Sequence, residues 1–505
     1  MISFKSFPVK FDVEKKKNNN LFISKSYEDY IALKVKNIYE KYLVDLDYNK
    51  NVNVAFKLAK SHIMSDLVSL FSLEYTFYKS KNKKIIPKYD DEKLEDYIKG
   101  NYLTTPCRKT IELSFNTFFL KEYLRFFYGI ITKKKYTPKR FVKTEEVLCF
   151  IDPQIPKDKL GLPKNKLIIT KYEFWFNGKL NFIQKKKINS EVFSASKRFI
   201  NYFVKQLSIP EIECSRYKLN VHNLINEYLK KVCYLIVLFE KNSNLLTNEI
   251  IIGTSGIIWN KIIIWFANLL NKKIYVFDHG VGNGFAKHIM NQPLEFDQNI
   301  NFVCLNKLQK NNIKKYVLTK DSGVNLILSK EKKKKFINKN KKPIKKILFI
   351  QTNYKNYQYA FDKNNEFYQV YFQKKLFRIL ESCAYEVIMK PHPVCNSKIN
   401  SIFFRNRIES KIFEKIYLNY DLLIFDYCRS TTFASALSSN IPIICVDHKT
   451  IDIHKNIKRI LSKRVSFLEF KFDVFNLPII NLKEVKNCIN QSQKKTDLII
   501  KENIF

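Results

Sequence analysis

The sequence predicts an α/β protein of two doubly wound parallel-sheet domains facing a cleft, preceded by a mainly helical region. Three observations predict it. From about residue 145, short β-branched and aromatic runs are each followed by a polar or glycine turn and then a helical stretch, the rhythm of βαβ units. A second series of the same kind begins at Ile347. Between the two lies the most charged stretch of the chain, Ser329 to Lys346, which contains a proline and reads as an interdomain linker. A chain of 505 residues, 46% of them hydrophobic, also carries ample apolar material for more than one core.

Element by element, residues 1–140 alternate apolar and charged positions at roughly helical spacing, as in Tyr30 to Val35 and Leu67 to Phe71. They predict a helical region and carry no chemistry of their own. Residues 141–328 form the first α/β domain, with strands expected at Val147 to Asp152, Glu249 to Gly253, Ile274 to Asp278 and Phe302 to Leu305. Their near-continuous apolar character suits parallel strands buried on both faces. Ile257 to Leu270 reads as the crossover helix between two of them. After a basic linker over 329–345, the second α/β domain occupies 346–481. Its strands are expected at Ile347 to Gln351, Val387 to Met389, Leu422 to Asp426 and Ile443 to Val446, with helices over Phe367 to Leu380 and Thr431 to Ser438. Within 482–505, Leu482 to Ile499 has helical periodicity and is expected to pack back across the first domain.

Charge is the loudest compositional feature. Lys and Arg number 89 against 47 Asp and Glu, a formal net charge of +42. Such a balance ordinarily points to nucleic acid or an anionic membrane. Here the excess is mostly Lys, is spread along the chain and travels with abundant Asn, Ile, Phe and Tyr, the mixture expected of AT-rich coding bias. No zinc-finger spacing, RNP-like aromatic signature or basic-helix heptad accompanies it, so specific nucleic-acid binding is not expected. The ten cysteines, among them Cys107, Cys149, Cys233, Cys304, Cys428 and Cys445, never fall at C-x-x-C spacing, which suits structural thiols in a reduced compartment. Met1 to Pro8 is not a signal-length apolar stretch, and runs such as Ile262 to Ala267 are too short to span a bilayer. The expectation is a cytoplasmic protein, soluble or held peripherally against the anionic inner membrane.

Glycine is scarce, ten in all, yet Gly253, Gly256, Gly280, Gly282 and Gly284 crowd into 32 residues. The first cluster, Gly253-Thr254-Ser255-Gly256, falls between a strand and a helix, where its amides can face an anion; a tight βα turn explains it equally well. The second, Asp278-His279-Gly280-Val281-Gly282-Asn283-Gly284, continues a buried strand at its carboxyl end, the edge of open α/β sheets where ligands bind. A histidine there is suited to deprotonate a hydroxyl, or simply to hold a turn by hydrogen bonds. In the second domain, Lys390-Pro391-His392-Pro393 follows a strand directly. Two prolines stiffen that loop, and the two cations can meet a phosphate, although a plain proline turn accounts for the prolines. Finally, Asp426-Tyr427-Cys428-Arg429 leads into Ser430, Thr431 and Thr432 at a helix start. Hydroxyls and free amides there make an anion site or an ordinary N-cap.

In this order the motifs resemble those of bacterial GT-B-type enzymes that make capsule, lipopolysaccharide or teichoic acid, including the CDP-glycerol glycerophosphotransferases and capsule polysaccharide transferases. The resemblance covers roughly residues 249–447 and rests on His279-Gly280, on Lys390-Pro391-His392-Pro393 and on Asp426-Tyr427 with Ser430-Thr431. The chain departs from the pattern at Cys428-Arg429, where the family has serines. The resemblance implies two Rossmann-like domains facing a cleft, the GT-B arrangement, with the acceptor held by the first domain and the donor nucleotide by the second. It implies metal-independent transfer of a sugar or polyol phosphate from a CMP-, CDP- or UDP-linked donor to a glycan or lipid-linked acceptor, with no separate cofactor. His279 is then the general base, and His392, also a catalytic residue, acts with Lys390 on the donor phosphates. Lys390, Asp426, Ser430, Thr431 and Thr432 bind the donor phosphate or nucleotide, while Gly253, Thr254, Ser255, Gly256, Gly280, Gly282 and Gly284 form the acceptor side or its loops. No metal constellation is expected, since the seven histidines lack zinc spacing and no Asp-x-Asp stands at a strand end. The other readings are a sugar-nucleotide epimerase of the same fold and a basic nucleic-acid-binding protein.

Overall fold

The computed structural model describes residues 25–82, 146–150, 160–162, 166–170, 172–209, 215–277, 283–284, 286–287, 295–318, 322–330, 343–351, 366–392, 404, 407–426, 428, 430–447, 452–469, 471–472 and 478–495. In chain order the first half contains α1 (Lys25–Val44), α2 (Lys50–Asn82), β1 (Val147–Cys149), β2 (Leu167–Ile169), α3 (Tyr172–Trp175), α4 (Phe182–Leu207), α5 (Ser215–Glu240), β3 (Glu249–Ile252), α6 (Ile258–Leu269), β4 (Lys273–Phe277), β5 (Ala286–Lys287), β6 (Ile300–Cys304), α7 (Lys307–Tyr316) and β7 (Val324–Leu328). The second half contains β8 (Lys346–Ile350), α8 (Glu366–Ser382), β9 (Glu386–Lys390), α9 (Phe413–Ile416), β10 (Leu422–Phe425), α10 (Thr431–Ala436), β11 (Ile443–Asp447), β12 (Asp452–Ile453), α11 (Lys455–Leu461), β13 (Val465–Glu469), β14 (Lys471–Phe472), β15 (Pro478–Ile479) and α12 (Leu482–Lys494).

These elements build two parallel sheets flanked by helices, an α/β protein of two units with helices at its N-terminal side. The first sheet has the order β2-β1-β3-β4-β6-β7 and the second β13-β11-β10-β8-β9. Each is wholly parallel among its described pairs. In both, the chain starts inside the sheet, lays its next strand on one side and then crosses to the other. The order therefore reverses between β1 and β3 in the first sheet and between β8 and β10 in the second. At such switch points the loops leaving the carboxyl ends part and open a crevice.

Burial on both faces explains why the strands read as unbroken apolar runs. In the second sheet Leu348, Leu423, Phe425, Ile443 and Cys445 belong to one core. Their alternates Ile347, Phe349, Leu422, Ile424 and Ile444 belong to the core on the opposite face. The period-2 pleat divides the side chains in this way. In the first sheet Leu148, Ile250, Ile252, Val276 and Phe302 join the large helical core, while Val147, Cys149, Ile251, Phe277 and Val303 line the other face.

The helical content extends beyond the N-terminal region. α4 and α5 stand between β2 and β3 and pack with α1 and α2 into one apolar body, with Tyr39, Phe56, Phe199, Tyr217 and Tyr228 all buried. Tyr39 donates to the Phe56 carbonyl at 3.0 Å, and Arg216 pairs with the buried Glu74 at 2.6 Å. This body is continuous with the face of the first sheet that carries Ile250 and Ile252. One expectation is corrected: α12 does not cross the first sheet but packs on β11, β13 and α8 of the second. Its Val485, Cys488 and Ile489 enter that sheet's core alongside Phe372, Leu376 and Leu380 of α8.

Candidate functional site

Both carboxyl edges meet. The segment after β4 contains β5, and β5 pairs antiparallel with β12, which follows β11 of the second sheet; Lys287 faces Asp452 and Ala286 faces Ile453. Beside this ribbon the Tyr316 and His454 rings stack with centroids 4.2 Å apart. Asn456 Nδ2 donates to Asn312 Oδ1 at 2.9 Å. Gly284 lies in the left-handed region at φ +78°, and a Cβ there would stand 3.0 Å from the Gln309 carbonyl oxygen and the Ile313 Cγ1. Glycine is needed at that position by both conformation and space. His279, Gly280 and Gly282 lie outside the described residues.

On the first sheet, the Gly253 to Gly256 loop leaves β3 at the switch point and enters α6. Its polar groups converge on one carboxylate, that of Glu295. Thr254 Oγ1 donates to it at 2.7 Å, Ser255 Oγ at 2.7 Å, and the amides of Ser255 and Gly256 at 3.0 and 3.1 Å. Ser255 is buried. The loop is thus an anion seat at the positive end of a helix, and its anion is a side chain of the same protein. Nothing in the sequence around Asn291 to Asp297 marks Glu295 for this role, because it arrives from 40 residues away. Behind the loop, Lys261 is fully buried and its Nζ lies 2.6 Å from Asp297. Burial raises the Asp297 pKa and Lys261 opposes that rise.

On the second sheet, the carboxyl ends of β9, β8 and β10 lie side by side, with Lys390 opposite Ile350 and Ile350 opposite Phe425. Lys390 and His392 are both half-buried. Burial lowers the Lys390 pKa against the opposing charges of Glu409 and Glu414. Burial also lowers that of His392, and the Lys390 charge adds to it, so the imidazole is held neutral beside a cation. At the switch point a buried polar chain runs beneath the edge. Gln351 Nε2 donates to Gln373 Oε1 at 2.8 Å, and Gln373 Nε2 donates to Asp426 Oδ2 at 2.9 Å. The Gln351 amide also donates to the Lys390 carbonyl at 3.0 Å. Gln373 carries a legible signal, since it stands at the same helical phase as the core residues Leu376, Phe377 and Leu380.

Ser430 is the N-cap of α10; its Oγ accepts from the Phe433 amide at 3.1 Å and lies 2.8 Å from Thr432 Oγ1. Thr431 is in the first turn, with its side chain outside the described residues. The structure therefore brings Lys390, His392, Asp426, Ser430 and Thr432 to the carboxyl edge of one sheet, and Thr254 and Ser255 to that of the other. Among the described residues no group of three or more His, Cys, Asp or Glu is placed to hold a metal.

No profile of a known protein family matches this chain, and no curated protein sequence does. Among the solved structures similar to it, two illustrate the low identity. A protein from Listeria monocytogenes assigned as a UDP-N-acetylglucosamine 2-epimerase is 12% identical, with 70% of this chain and 90% of that chain covered at a TM-score of 0.36. The UDP complex of S. aureus MnaA is 11% identical, with 71% and 94% covered at 0.35. At these scores the likeness decides nothing about activity.

Proposed function

We propose that this chain is an enzyme that processes a nucleotide-activated sugar between the carboxyl edges of its two sheets. One observation carries the reading: a half-buried Lys390–His392 pair ends β9 at the carboxyl edge of the second sheet, with β8 between it and the Asp426 end of β10. A Lys ammonium and a histidine at a strand end suit a diphosphate, whose charge the Ser430 to Thr432 turn and its amides share. Gln373 and the buried Asp426 support that edge from beneath. His279, which falls in sequence between β4 and β5, is assigned proton transfer at the sugar.

Of the two chemistries compatible with this site, epimerisation is favoured over transfer to an acceptor. The groups that a transferase would offer its acceptor, Thr254, Ser255 and the Gly256 amide, are taken up by Glu295. In epimerisation a proton leaves a sugar carbon and returns on the opposite face, and no second substrate is needed. Transfer to a glycan or lipid-linked acceptor is the alternative.

The test uses the full chain with UDP-N-acetylglucosamine in D2O and no acceptor, followed by proton NMR. A new epimer carrying deuterium at the inverted carbon supports the reading. Donor breakdown that appears only when a glycan acceptor is added gives transfer instead. A thermal-shift series with CMP, CDP, UDP and GDP on wild type and His392→Ala tests the site itself, because a ligand bound to the native state raises the melting temperature. No stabilisation of the wild type by any of the four nucleotides would overturn the proposal.

A further inference from the structure

We infer that the start of α4 is a docking surface for a bilayer carrying anionic headgroups. Phe182 and Ile183, the first two residues of that helix, are 78% and 76% exposed, and Phe174 on the preceding helix α3 is 44% exposed. Large apolar side chains presented together in this way mark a contact surface. The exposure does not come from a loose end. Asn181 Oδ1 accepts from the Gln184 amide at 2.8 Å and Gln184 Oε1 accepts from the Asn181 amide at 3.2 Å, a capping box that sets the first turn. Leu180 and Ile188 on either side are buried. The apolar tip is therefore held outward on a rigid support.

The charge around the tip identifies its partner. Lys179, Lys185, Lys186 and Lys187 surround it and are exposed, and no Asp or Glu occurs from residue 174 to 190. Apolar side chains at the centre with ammonium groups on long stems beside them match a bilayer interface. There the rings and the isoleucine reach below the headgroups while the lysines extend to phosphate. The N-terminus of a 26-residue helix adds the positive end of its dipole toward the same anions. Among the described residues no helix is long and apolar enough to cross a membrane, so contact of this kind rests on the surface of the bilayer.

The experiment is co-sedimentation of the full chain with vesicles of phosphatidylcholine alone and of phosphatidylcholine mixed with phosphatidylglycerol. Wild type is expected to sediment with the anionic vesicles, to fall off with added salt, and to stay in solution with the neutral ones. Lys185→Gln/Lys186→Gln/Lys187→Gln is expected to weaken binding on the order of a hundredfold, from about 1 kcal/mol per basic residue at a charged surface. Phe182→Ser/Ile183→Ser is expected to weaken it tenfold or more. A control, Lys483→Gln/Lys486→Gln/Lys494→Gln, removes the same charge from exposed positions on α12 and is expected to leave binding within twofold. Phe182→Trp, a single exposed substitution, is expected to add a blue-shifted component to the emission on anionic vesicles only.

Four results would overturn the inference: no sedimentation of the wild type with anionic vesicles, unchanged binding by the Phe182/Ile183 variant, equal loss in the α12 control, or no emission shift for Phe182→Trp. A wild-type dimer that the Phe182/Ile183 variant converts to monomer without loss of vesicle binding would assign the face to a second copy instead.

Discussion

Replacing Glu295 with Ala tests how the first sheet's switch point is held. The carboxylate accepts from Thr254 Oγ1, Ser255 Oγ and the amides of Ser255 and Gly256. The Ser255 hydroxyl retains an acceptor, because it also reaches the Glu295 carbonyl at 2.6 Å. The Gly256 amide keeps Thr254 Oγ1 as acceptor at 3.2 Å, which leaves the Ser255 amide and the Thr254 hydroxyl without theirs just before the start of α6. A hydrogen bond to a charged group contributes about 1.5–3 kcal/mol, and water entering the opened seat restores part of it. The expected loss is about 3 kcal/mol. All three tryptophans, Trp175, Trp259 and Trp265, belong to the first unit, so their emission during urea unfolding reports on that unit alone. With a urea dependence of about 2–3 kcal/mol per molar, the midpoint should fall by roughly 1 M or slightly more. The emptied seat should also take up an external anion, so inorganic phosphate should stabilise Glu295→Ala and leave wild type unmoved. A midpoint change under about 0.3 M, or equal stabilisation of both proteins by phosphate, would refute the assignment of this loop as an occupied anion seat.

Three further outcomes follow from the same geometry. Gly284→Ala should cost about 1–3 kcal/mol in thermal or urea unfolding, because it adds a left-handed penalty to two contacts at 3.0 Å. Lys261→Met should cost about 3–5 kcal/mol by leaving Asp297 unpaired, while Lys261→Met/Asp297→Leu should recover most of it; equal losses in both would show that the pair is not the cause. His62, stacked on Tyr228 with centroids 5.7 Å apart, has its pKa lowered from 6.5 to about 3, by burial first and then by the Lys261 charge. Because the folded-state value is depressed, the contribution of His62 is complete above pH 6.5 and is lost as pH falls toward 3. The slope should be roughly 1 kcal/mol per pH unit between pH 6 and 5 and should flatten in His62→Gln, read by urea midpoints at each pH.

Much of the architecture is legible in local patterns. The eight expected strands all appear within a few residues of their apolar runs, and the 257–270 crossover helix appears as Ile258–Leu269. A parallel strand covered on both faces has no choice but to be apolar throughout, and that requirement is written in consecutive residues. The N-cap at Ser430 and the left-handed Gly284 are equally local. Other elements left weaker marks. β2 has three residues, and the edge strands β7 and β13 mix polar or exposed positions such as Asn325, Leu328, Ser466 and Glu469 with their apolar ones, so none presents an unbroken apolar run. The helices α4 and α5 interrupt the βαβ rhythm expected after residue 145, since an insertion between two strands costs the sheet little.

The chain by itself thus determined which segments become strands, which become helices, and which loops stand at the carboxyl edges with chemistry on them. Tertiary structure alone decided that α12 covers the second sheet, that Glu295 fills the seat at Thr254 and Ser255, and that Gln373 reaches Asp426 across 53 residues. The physical reason is range. Backbone preference and burial pattern act over a few neighbouring residues, whereas the partner of a buried polar group is chosen by whichever distant segment the packed core brings within hydrogen-bond distance.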